Sequence, residues 1–501
     1  MTALAQNTSV TITLQDGGLV NISTNGGIAS VTATPTGGAA SSQNLGPLPT
    51  RTTVGPFPEG GTVTIFNQTA VLDYDSPYGN IATVNTDPLT GGISLTAGST
   101  KLSVKTKAFT QKYIMPVIER FSEIADWVVI NSGGATVSKD AGVIGAKCIS
   151  MSTPASAGQS TYVTQDQTID LSAENGIWVL LRNRYRTVAS GVGLTTFLAN
   201  GAGMTVGAGG RFTCATTPYA GAVSVQPHWI PKSAFSTLDG TPSWAIPILS
   251  WRFRLDSAAG QARELDLCGV VIGKQRPTVI VTFDDGWDTS YSIGHIQARK
   301  REIPLSHFLI GSLLDRTDIN YITTAQALEM AAQGDYLGLH GATPWDADLS
   351  LPASDKAALV AKLGASVSDF EHAAYPEGKI GDQELWKQME STLSGIGVKT
   401  ARLAGVTGEP TLCGYGDPLA LTAYPLNNTI SLAQTQAAVD AAIASGGTTI
   451  FYGHKIGAAA DALTWVTADY TALLDYIVTK RNAGLIDVKT IKQWNDQGVE
   501  I

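Results

Sequence analysis

Two adjacent carboxylates stand where an apolar segment ends, in the sequence TFDDG of Thr282–Gly286. Neighbouring negative charges repel each other, and a bound metal ion is a common way to offset that cost. If the apolar run Thr278–Phe283 is a strand, Asp284 and Asp285 lie at its C-terminal end. There, the pair could hold a metal ion. For this motif taken alone, the alternative is an Asp-Asp-Gly turn that has no catalytic or metal-binding role.

Histidines and a tyrosine follow other apolar segments in the same half of the chain. Tyr336–Leu339 runs directly into His340. Thr448–Phe451 leads to His454, and a short segment leads into Tyr375. Because the sequence has six histidines and two of them follow predicted strands, we interpret these residues and the aspartate pair as one site.

The elements that must position these residues alternate between short apolar runs and helical patterns of roughly 10–20 residues. Helices are predicted at Thr323–Gln333, Ala353–Ala373 and Ala468–Lys480. Such alternation is typical of a parallel sheet with crossover helices, and about seven or eight units favour a barrel over an open sheet. In such barrels the active site lies at the C-terminal ends of the strands.

Together these motifs resemble the polysaccharide deacetylase family, carbohydrate esterase family four, over about residues 275–501. The resemblance implies a distorted (β/α) barrel that holds Zn²⁺ or another divalent transition metal. Carried over to this chain, the first aspartate of TFDDG, Asp284, is the general base, and the second, Asp285, is a metal ligand. By the same resemblance, His340 is a second metal ligand and His454 is the general acid.

The segment Ala374–Gly378, which reads AYPEG, is similar to the A-Y-P-Y-G form of the family's third motif. The resemblance implies that the backbone N–H of Glu377 stabilises the oxyanion of the reaction. It also places Tyr375 beside the substrate.

The sequence departs from the family in two places. Pro344 replaces the second histidine of the metal motif and cannot bind metal through its side chain. With a two-residue insertion Asp346 takes that position, and an Asp–His–Asp set is acceptable for zinc; the alternative is that Asp346 caps a helix. The arginine of the third motif is absent, so Arg402 is a candidate to orient the base or contact substrate, unless it forms a surface ion pair.

Two β-rich regions precede the predicted barrel domain at residues 274–501. Residues 1–114 contain β-branched runs between Gly, Asn, Thr and Pro turns, and only Asp16, Arg51 and Glu59 are charged in residues 1–60. We interpret this region as an N-terminal β module for attachment or oligomerisation. Residues 115–273 contain short strands at turn-punctuated intervals, which favour an antiparallel β-sandwich.

The sandwich resembles jelly-roll carbohydrate-binding modules in the order of its aromatic features. These are Asp126-Trp127, His228-Trp229, Ser233–Phe235 and Trp244. Exposed aromatic faces there could stack on sugar rings, while burial in the core is the alternative.

Composition limits the classes of function. The 501 residues are 43% hydrophobic and 15% charged, as expected of a folded chain of several domains. A net charge of −9 without a basic patch argues against nucleic acid as a partner. The four cysteines form no CxxC pair, so we expect buried free thiols. We expect no signal peptide and no membrane span, because a basic start with an apolar run and a stretch of about 18 apolar residues are both absent.

These features lead to two hypotheses. The first is a metal-dependent deacetylase of a bacterial surface polysaccharide, capsule or O-antigen. Since its substrate lies outside the host cell and no signal peptide is expected, we interpret the chain as a phage tail-spike or tail-fibre protein of the virion. It would then contact tail proteins and form a homo-oligomer, with a trimer favoured. The second hypothesis is a glycan-binding adhesin with an inactive deacetylase-like fold, suggested by the missing histidine and arginine.

Overall fold

The computed structural model describes most of the chain after residue 126 and strand segments before it. The described residues are 127–131, 134–141, 147–155, 160–183, 193–206, 209–216, 224–256, 262–316, 318, 320–380, 383–404 and 410–496, together with ten strands between Ser9 and Glu119. The chain forms two compact units, Met1–Lys112 and Tyr113–Ile501. The predicted boundary near residue 274 falls inside the second unit. Among the described helices, none has the length and apolar character needed to span a bilayer.

The first unit contains two antiparallel sheets in its described segments. Its strands are β1 (Ser9–Leu14), β2 (Gly18–Thr24), β3 (Ala29–Pro35), β4 (Ser41–Leu45), β5 (Thr50–Phe57), β6 (Gly61–Asn67), β7 (Asp73–Ser76), β8 (Ile81–Thr86) and β9 (Leu102–Val104). One sheet has the order β4-β3-β6-β1-β8 and the other β5-β2-β7-β9. Runs of β-branched residues such as SVTITL in β1 favour strands over helices. An attachment or oligomerisation role for residues 1–114 stays a prediction.

The second unit begins with two six-stranded antiparallel sheets. Their strands are β10 (Val117–Glu119), β11 (Val128–Asn131), β12 (Thr136–Ala141), β13 (Lys147–Thr153), β14 (Ser160–Ile169), β15 (Gly176–Asn183), β16 (Leu194–Ala199), β17 (Gly210–Thr216), β18 (Val225–Pro231), β19 (Ser236–Gly240), β20 (Ile248–Asp256) and β21 (Arg263–Val271). One sheet has the order β12-β13-β21-β15-β18 with β10 beside β21, and the other β11-β14-β20-β16-β17-β19. Ile149 and Leu267 of the first sheet share one buried core with Trp251 and Phe253 of the second, as in a sandwich.

The aromatic residues that suggested sugar binding are mostly internal. Trp127 is buried and stacks on Trp251, with ring centroids 6.4 Å apart. Trp244 is half-buried against Phe212 at 4.0 Å. These contacts favour the core alternative for both tryptophans, and the jelly-roll comparison and sugar binding stay predictions.

The expectation of free thiols is wrong for two of the four cysteines. Cys148 and Cys268 form a disulfide between the neighbouring strands β13 and β21. They are 120 residues apart in sequence, so only the pairing of these strands brings them opposite each other. Cys214 is a buried free thiol, and Cys413 is a partly buried thiol whose Sγ lies 3.7 Å from the Trp494 carbonyl oxygen.

The rest of the second unit is a curled parallel sheet, which fits the predicted distorted barrel. Its strands are β22 (Thr278–Asp285), β23 (Ser306–Ile310), β24 (Tyr336–His340), β25 (His372–Ala374), β26 (Thr400–Arg402), β27 (Tyr424–Leu426), β28 (Thr448–Gly453) and β31 (Asp487–Val488). The order is β26-β25-β24-β23-β22-β28-β27 with β31 beside β22, and every pairing is parallel. A separate parallel pair, β29 (Lys455–Gly457) and β30 (Thr464–Val466), follows β28.

Helices connect the strands of this sheet. They are α1 (Ile296–Arg299, preceded by the π-helical turn Ser290–His295), α2 (Thr324–Ala332), α3 (Leu351–Leu363), α4 (Gln383–Gly395), α5 (Leu432–Ser445), α6 (Thr467–Asn482) and α7 (Ile491–Asn495). Helix α2 begins after Thr323, whose hydroxyl accepts a hydrogen bond from the Gln326 N–H. The predicted helix Ala353–Ala373 is too long, because Gly364 takes a φ of +85° and ends α3.

The sandwich and the barrel share a hydrophobic cluster. Trp178 and Val271 of the sandwich pack with Leu412 and Tyr415 of the barrel. The side chain of Gln226 also donates a hydrogen bond to the Ala420 carbonyl at 2.8 Å. The two folds therefore form one packed body within residues 113–501.

Candidate active site

Strand β22 ends in a strained turn that carries both aspartates of TFDDG. Asp285 adopts φ +67°, and Gly286 continues the left-handed turn at φ +84°. A left-handed conformation costs a residue with a side chain about 1–2 kcal/mol. Strain of this kind is concentrated at functional sites, where the surrounding structure maintains it.

Asp284 is held by Arg402, which comes from strand β26. Both carboxylate oxygens of Asp284 accept hydrogen bonds from one terminal nitrogen of the guanidinium, and the side chains are 5% and 1% exposed. The guanidinium also lies 4.7 Å from the ring centroid of Tyr452. The surface ion-pair alternative for Arg402 is therefore wrong, as is contact with substrate, since its side chain is buried. Its contact with Asp284 fits the predicted role of orienting the base, which stays a prediction.

Asp285 meets His340 and His454 from two other strand ends. Its Oδ1 lies 3.2 Å from Nε2 of His340, and its Oδ2 lies 4.0 Å from Nε2 of His454. Burial raises the pKa of Asp285, but the hydrogen bond and charge of His340, with His454 and the Trp287 N–H, lower it to about 2. Asp285 is therefore a carboxylate ion at neutral pH. We call Asp284, Asp285, His340 and His454 the rim cluster.

His340 has an acceptor next to each ring nitrogen. Nδ1 lies 2.7 Å from the Ala374 carbonyl oxygen, which accepts its proton. Nε2 faces Asp285 Oδ1, another acceptor, and a neutral imidazole cannot donate from both nitrogens. Either the ring is an imidazolium, or His340 and Asp285 would together hold a metal ion. Their 3.2 Å separation fits two ligands of one zinc ion with bonds of about 2.0–2.2 Å, and a carbonyl behind the histidine is a usual support for such a ligand.

The third predicted ligand, Asp346, stands in the short 3-10 turn Trp345–Ala347. Its capping alternative is wrong, because helix α3 begins after Ser350. In the part of the chain that the structure describes, the rim cluster contains no three His, Cys, Asp or Glu side chains with ligand atoms all within 4.8 Å of one another. The role of Asp346 therefore stays a prediction.

The AYPEG segment divides into a buried residue and a strained one. Tyr375 is 1% exposed, and its hydroxyl donates a hydrogen bond to the Leu419 carbonyl at 2.8 Å. Its predicted position beside the substrate is thus wrong, because the whole side chain lies in the core. Glu377 takes φ +56° and pairs its exposed side chain with Lys379 at 2.5 Å. The oxyanion role of its N–H stays a prediction.

A second group of potential metal ligands lies near the beginnings of strands β23 and β24. Asp335 Oδ2 is 2.7 Å from His295 Nδ1 and 3.2 Å from His307 Nε2, and Oδ1 accepts a hydrogen bond from the Leu305 N–H. All three side chains are buried, and their ligand atoms lie close enough together to hold a metal. We call His295, His307 and Asp335 the sealed cluster.

Sequence patterns missed the sealed cluster because its members do not follow strands. They also missed Trp287, whose indole N–H donates to Asp285 Oδ2 at 3.0 Å, and Tyr321, which stacks on it. The position of Trp287 directly after TFDDG was the available signal.

No protein-family model and no curated protein matches the sequence. Among solved structures, the deacetylase PplD of Streptococcus pyogenes in complex with acetate aligns with 28% of the chain at 18% identity and a TM-score of 0.25, and the chain spans 62% of its length. A family 4 carbohydrate esterase from Streptomyces lividans in complex with acetate aligns with 43% of the chain and 93% of its own length, at 16% identity and a TM-score of 0.28.

The family 11 carbohydrate-binding module of Clostridium thermocellum in complex with a mixed-linked tetrasaccharide aligns with 31% of the chain and 93% of its own length, at 17% identity and a TM-score of 0.25. Polysaccharide deacetylases and a sugar-binding module are thus among the structural neighbours. At these scores the neighbours carry no argument about chemistry, which depends on the residues of the rim cluster.

Proposed function

We propose that this chain is a metal-dependent hydrolase that removes acetyl groups from a polysaccharide. The supporting observation is the convergence of four polar side chains at the ends of strands β22, β24 and β28. A buried, arginine-held carboxylate, Asp284, lies directly beside a potential ligand pair, Asp285 and His340. His454 Nε2 lies 4.0 Å from Oδ2 of Asp285.

Each of these residues has a task in such a reaction. A divalent metal at Asp285 and His340 would supply a Lewis acid that polarises the acetyl carbonyl and lowers the pKa of the attacking water. Asp284 accepts the proton of that water, and Arg402 keeps the carboxylate turned toward it. His454, whose side chain is 22% exposed, gives a proton to the departing amine or alkoxide. The N–H of Glu377 donates to the oxyanion.

Acetate release tests this proposal directly. Purified chain supplied with Zn²⁺ or Co²⁺ should release acetate from an acetylated bacterial capsule or O-antigen, lose the activity with EDTA, and leave the glycan at its original length. Shortening of the glycan without acetate release would contradict the proposal, because it requires a glycosidase pair of carboxylates.

The adhesin hypothesis differs from the enzyme hypothesis in predicting that the glycan is bound but no acetate is released. The incomplete ligand set of the rim cluster favours it, since a third ligand is not assembled among the described residues. The coexistence of a held base and an exposed histidine favours the enzyme, because glycan binding alone requires neither. Binding of the same glycan without any acetate release would support the adhesin.

The assembly that carries the enzyme to its substrate is also a proposal. The low charge of residues 1–60 supports a module that buries its surface against a partner, as in the tail spike of a phage that carries the enzyme to a bacterial surface. We expect a homo-oligomer, with a trimer favoured, assembled through residues 1–114. Light scattering on the full chain and on a form lacking those residues tests it, and a monomeric full chain would contradict the expectation.

A further inference from the structure

The two oxygens of the Asp285 carboxylate make different contacts. Oδ1 faces Nε2 of His340 at 3.2 Å, whereas Oδ2 accepts the indole N–H of Trp287 at 3.0 Å. His454 Nε2 is farther from Oδ2, at 4.0 Å. The Trp287 hydrogen bond therefore sets the rotation of the carboxylate and directs Oδ1 toward His340.

Two neighbouring side chains hold the indole in place. The ring of Tyr321 stacks on it with centroids 4.5 Å apart and 25° between the planes. The ammonium of Lys455, next to His454 in sequence, lies 3.7 Å from the centroid of the Trp287 ring. A ring confined in this way has little freedom to turn its N–H away from Asp285.

The backbone around Trp287 is held as well. Trp287 and Tyr321 form an isolated antiparallel β-bridge. The Asp288 N–H donates to the Asn320 carbonyl and the Ile322 N–H donates to the Gly286 carbonyl, both at 2.9 Å. These bonds tie the turn that follows Asp285 to residues 320–322, and this turn is the one in which Asp285 adopts its left-handed φ.

We propose that Trp287 is a positioning residue for the metal site, which presents Asp285 Oδ1 to the metal by holding Oδ2 through its indole N–H. This inference rests on the proposed metal-dependent function. Groups that orient a metal ligand change affinity by about 10- to 100-fold when they are removed. We therefore expect Trp287 to act on metal affinity first and on turnover only through it.

The experiment measures Co²⁺ and Zn²⁺ affinity of the full chain by chelator competition. Trp287→Phe should weaken both by about 10- to 100-fold. The matched control is Trp386→Phe, because Trp386 is a buried barrel tryptophan whose indole N–H has no acceptor among the described residues. It should leave the metal affinity unchanged. Replacing Trp287 by benzothienylalanine, which keeps the ring shape and lacks the N–H, should reproduce the loss even if Trp287→Phe folds poorly.

The outcomes separate this inference from the function on which it rests. If the unaltered chain binds metal and the benzothienylalanine form binds it equally well, the positioning role is wrong and the deacetylase proposal stands. If the unaltered chain binds neither metal, both are wrong. Tyr321→Leu should give a smaller loss than Trp287→Phe, because it loosens the indole without deleting its N–H.

Discussion

The barrel contains two groups of histidine and aspartate that are alike in composition and differ in setting. In the rim cluster, the side chains of Asp285 and His454 are 21% and 22% exposed. In the sealed cluster, His295, His307 and Asp335 are 3%, 0% and 0% exposed. Both groups contain potential metal ligands within hydrogen-bonding distance of each other, so distance alone does not tell them apart.

The difference lies in the exposure and the backbone conformation of the central carboxylate. In the sealed cluster the buried carboxylate of Asp335 accepts hydrogen bonds from His295, from His307 and from the Leu305 N–H. In the rim cluster Asp285 adopts a left-handed φ at the C-terminal end of strand β22, and its side chain is 21% exposed. A site for chemistry needs groups that a substrate can reach, whereas a polar group closed off from solvent contributes to the fold.

The first prediction is that bound metal follows the rim cluster. Asp285→Ala and His340→Ala should each weaken metal binding by more than the roughly 10- to 100-fold typical of supporting groups, and should abolish acetate release. Asp335→Asn should keep the metal content of the unaltered chain, measured as ions per chain by mass spectrometry. Metal loss in Asp335→Asn with retention in Asp285→Ala would reverse the comparison. In the same assay, unchanged metal content in Asp346→Ala would exclude Asp346 as the third ligand.

The second prediction separates base from ligand within the rim cluster. Asp284→Asn should keep its metal and lower kcat by about 10²- to 10⁴-fold, because an amide cannot accept the proton of the attacking water. Acetate release under saturating substrate measures the change. Asp288→Asn, a nearby charge neutralisation, is the control and should keep its activity. If Asp284→Asn remains active, the base lies elsewhere.

The third prediction concerns the exposed histidine of the rim cluster. His454→Ala should lower turnover of N-acetyl sugars by about 10²-fold, since an amine leaving group needs a proton. Activated aryl acetates should lose much less, because their leaving groups depart without one. The ratio of the two rates is the measurement. Equal losses would mean that His454 positions substrate or supports the fold.

The fourth prediction, with the smallest expected effect, concerns the contribution of the sealed cluster to the free energy of unfolding. Burial raises the pKa of Asp335, but hydrogen bonds from His295, His307 and the Leu305 N–H lower it to about 2, below the value of about 3.9 in an unfolded chain. A carboxyl with a lower pKa in the folded state stabilises the fold fully above pH ~4, and that contribution is lost as the pH falls toward about 2. It amounts to roughly 2–3 kcal/mol.

Urea unfolding at several pH values tests this. Asp335→Asn should be less stable than the unaltered chain at pH 7, and the two should converge between about pH 4 and pH 2. A constant difference in unfolding free energy across that window would assign the acid sensitivity to another carboxylate.

The rim cluster was largely predictable because its members follow apolar strands in the sequence. A parallel sheet brings the C-terminal ends of its strands together, so the sequence alone was enough to group Asp284, Asp285, His340 and His454. Arg402 was harder to assign, because a charged residue in a three-residue strand carries no mark of burial. Only the structure shows its contact with Asp284.

The remaining contacts depend on segments that meet through folding alone. Trp287 follows TFDDG, yet its function depends on Tyr321 returning to stack on it more than 30 residues later. The Cys148–Cys268 disulfide depends on strand order within the sandwich, which local spacing does not encode. The burial of Tyr375 was missed for the same reason, since its hydroxyl partner is the distant carbonyl of Leu419.

The hydrophobic cluster of Trp178, Val271, Leu412 and Tyr415 limits how the sandwich and the barrel can be exchanged by recombination. A recombination event that exchanged only the sandwich would leave the barrel segment around Leu412 and Tyr415 facing a foreign surface. A new combination of sandwich and barrel is therefore expected to pack well only if the segment around Leu412 and Tyr415 is exchanged together with the sandwich, or if later substitutions restore the contact. In laboratory chimeras, breakpoints near residue 274 should yield less soluble protein than designs that also transplant residues 410–417 from the donor.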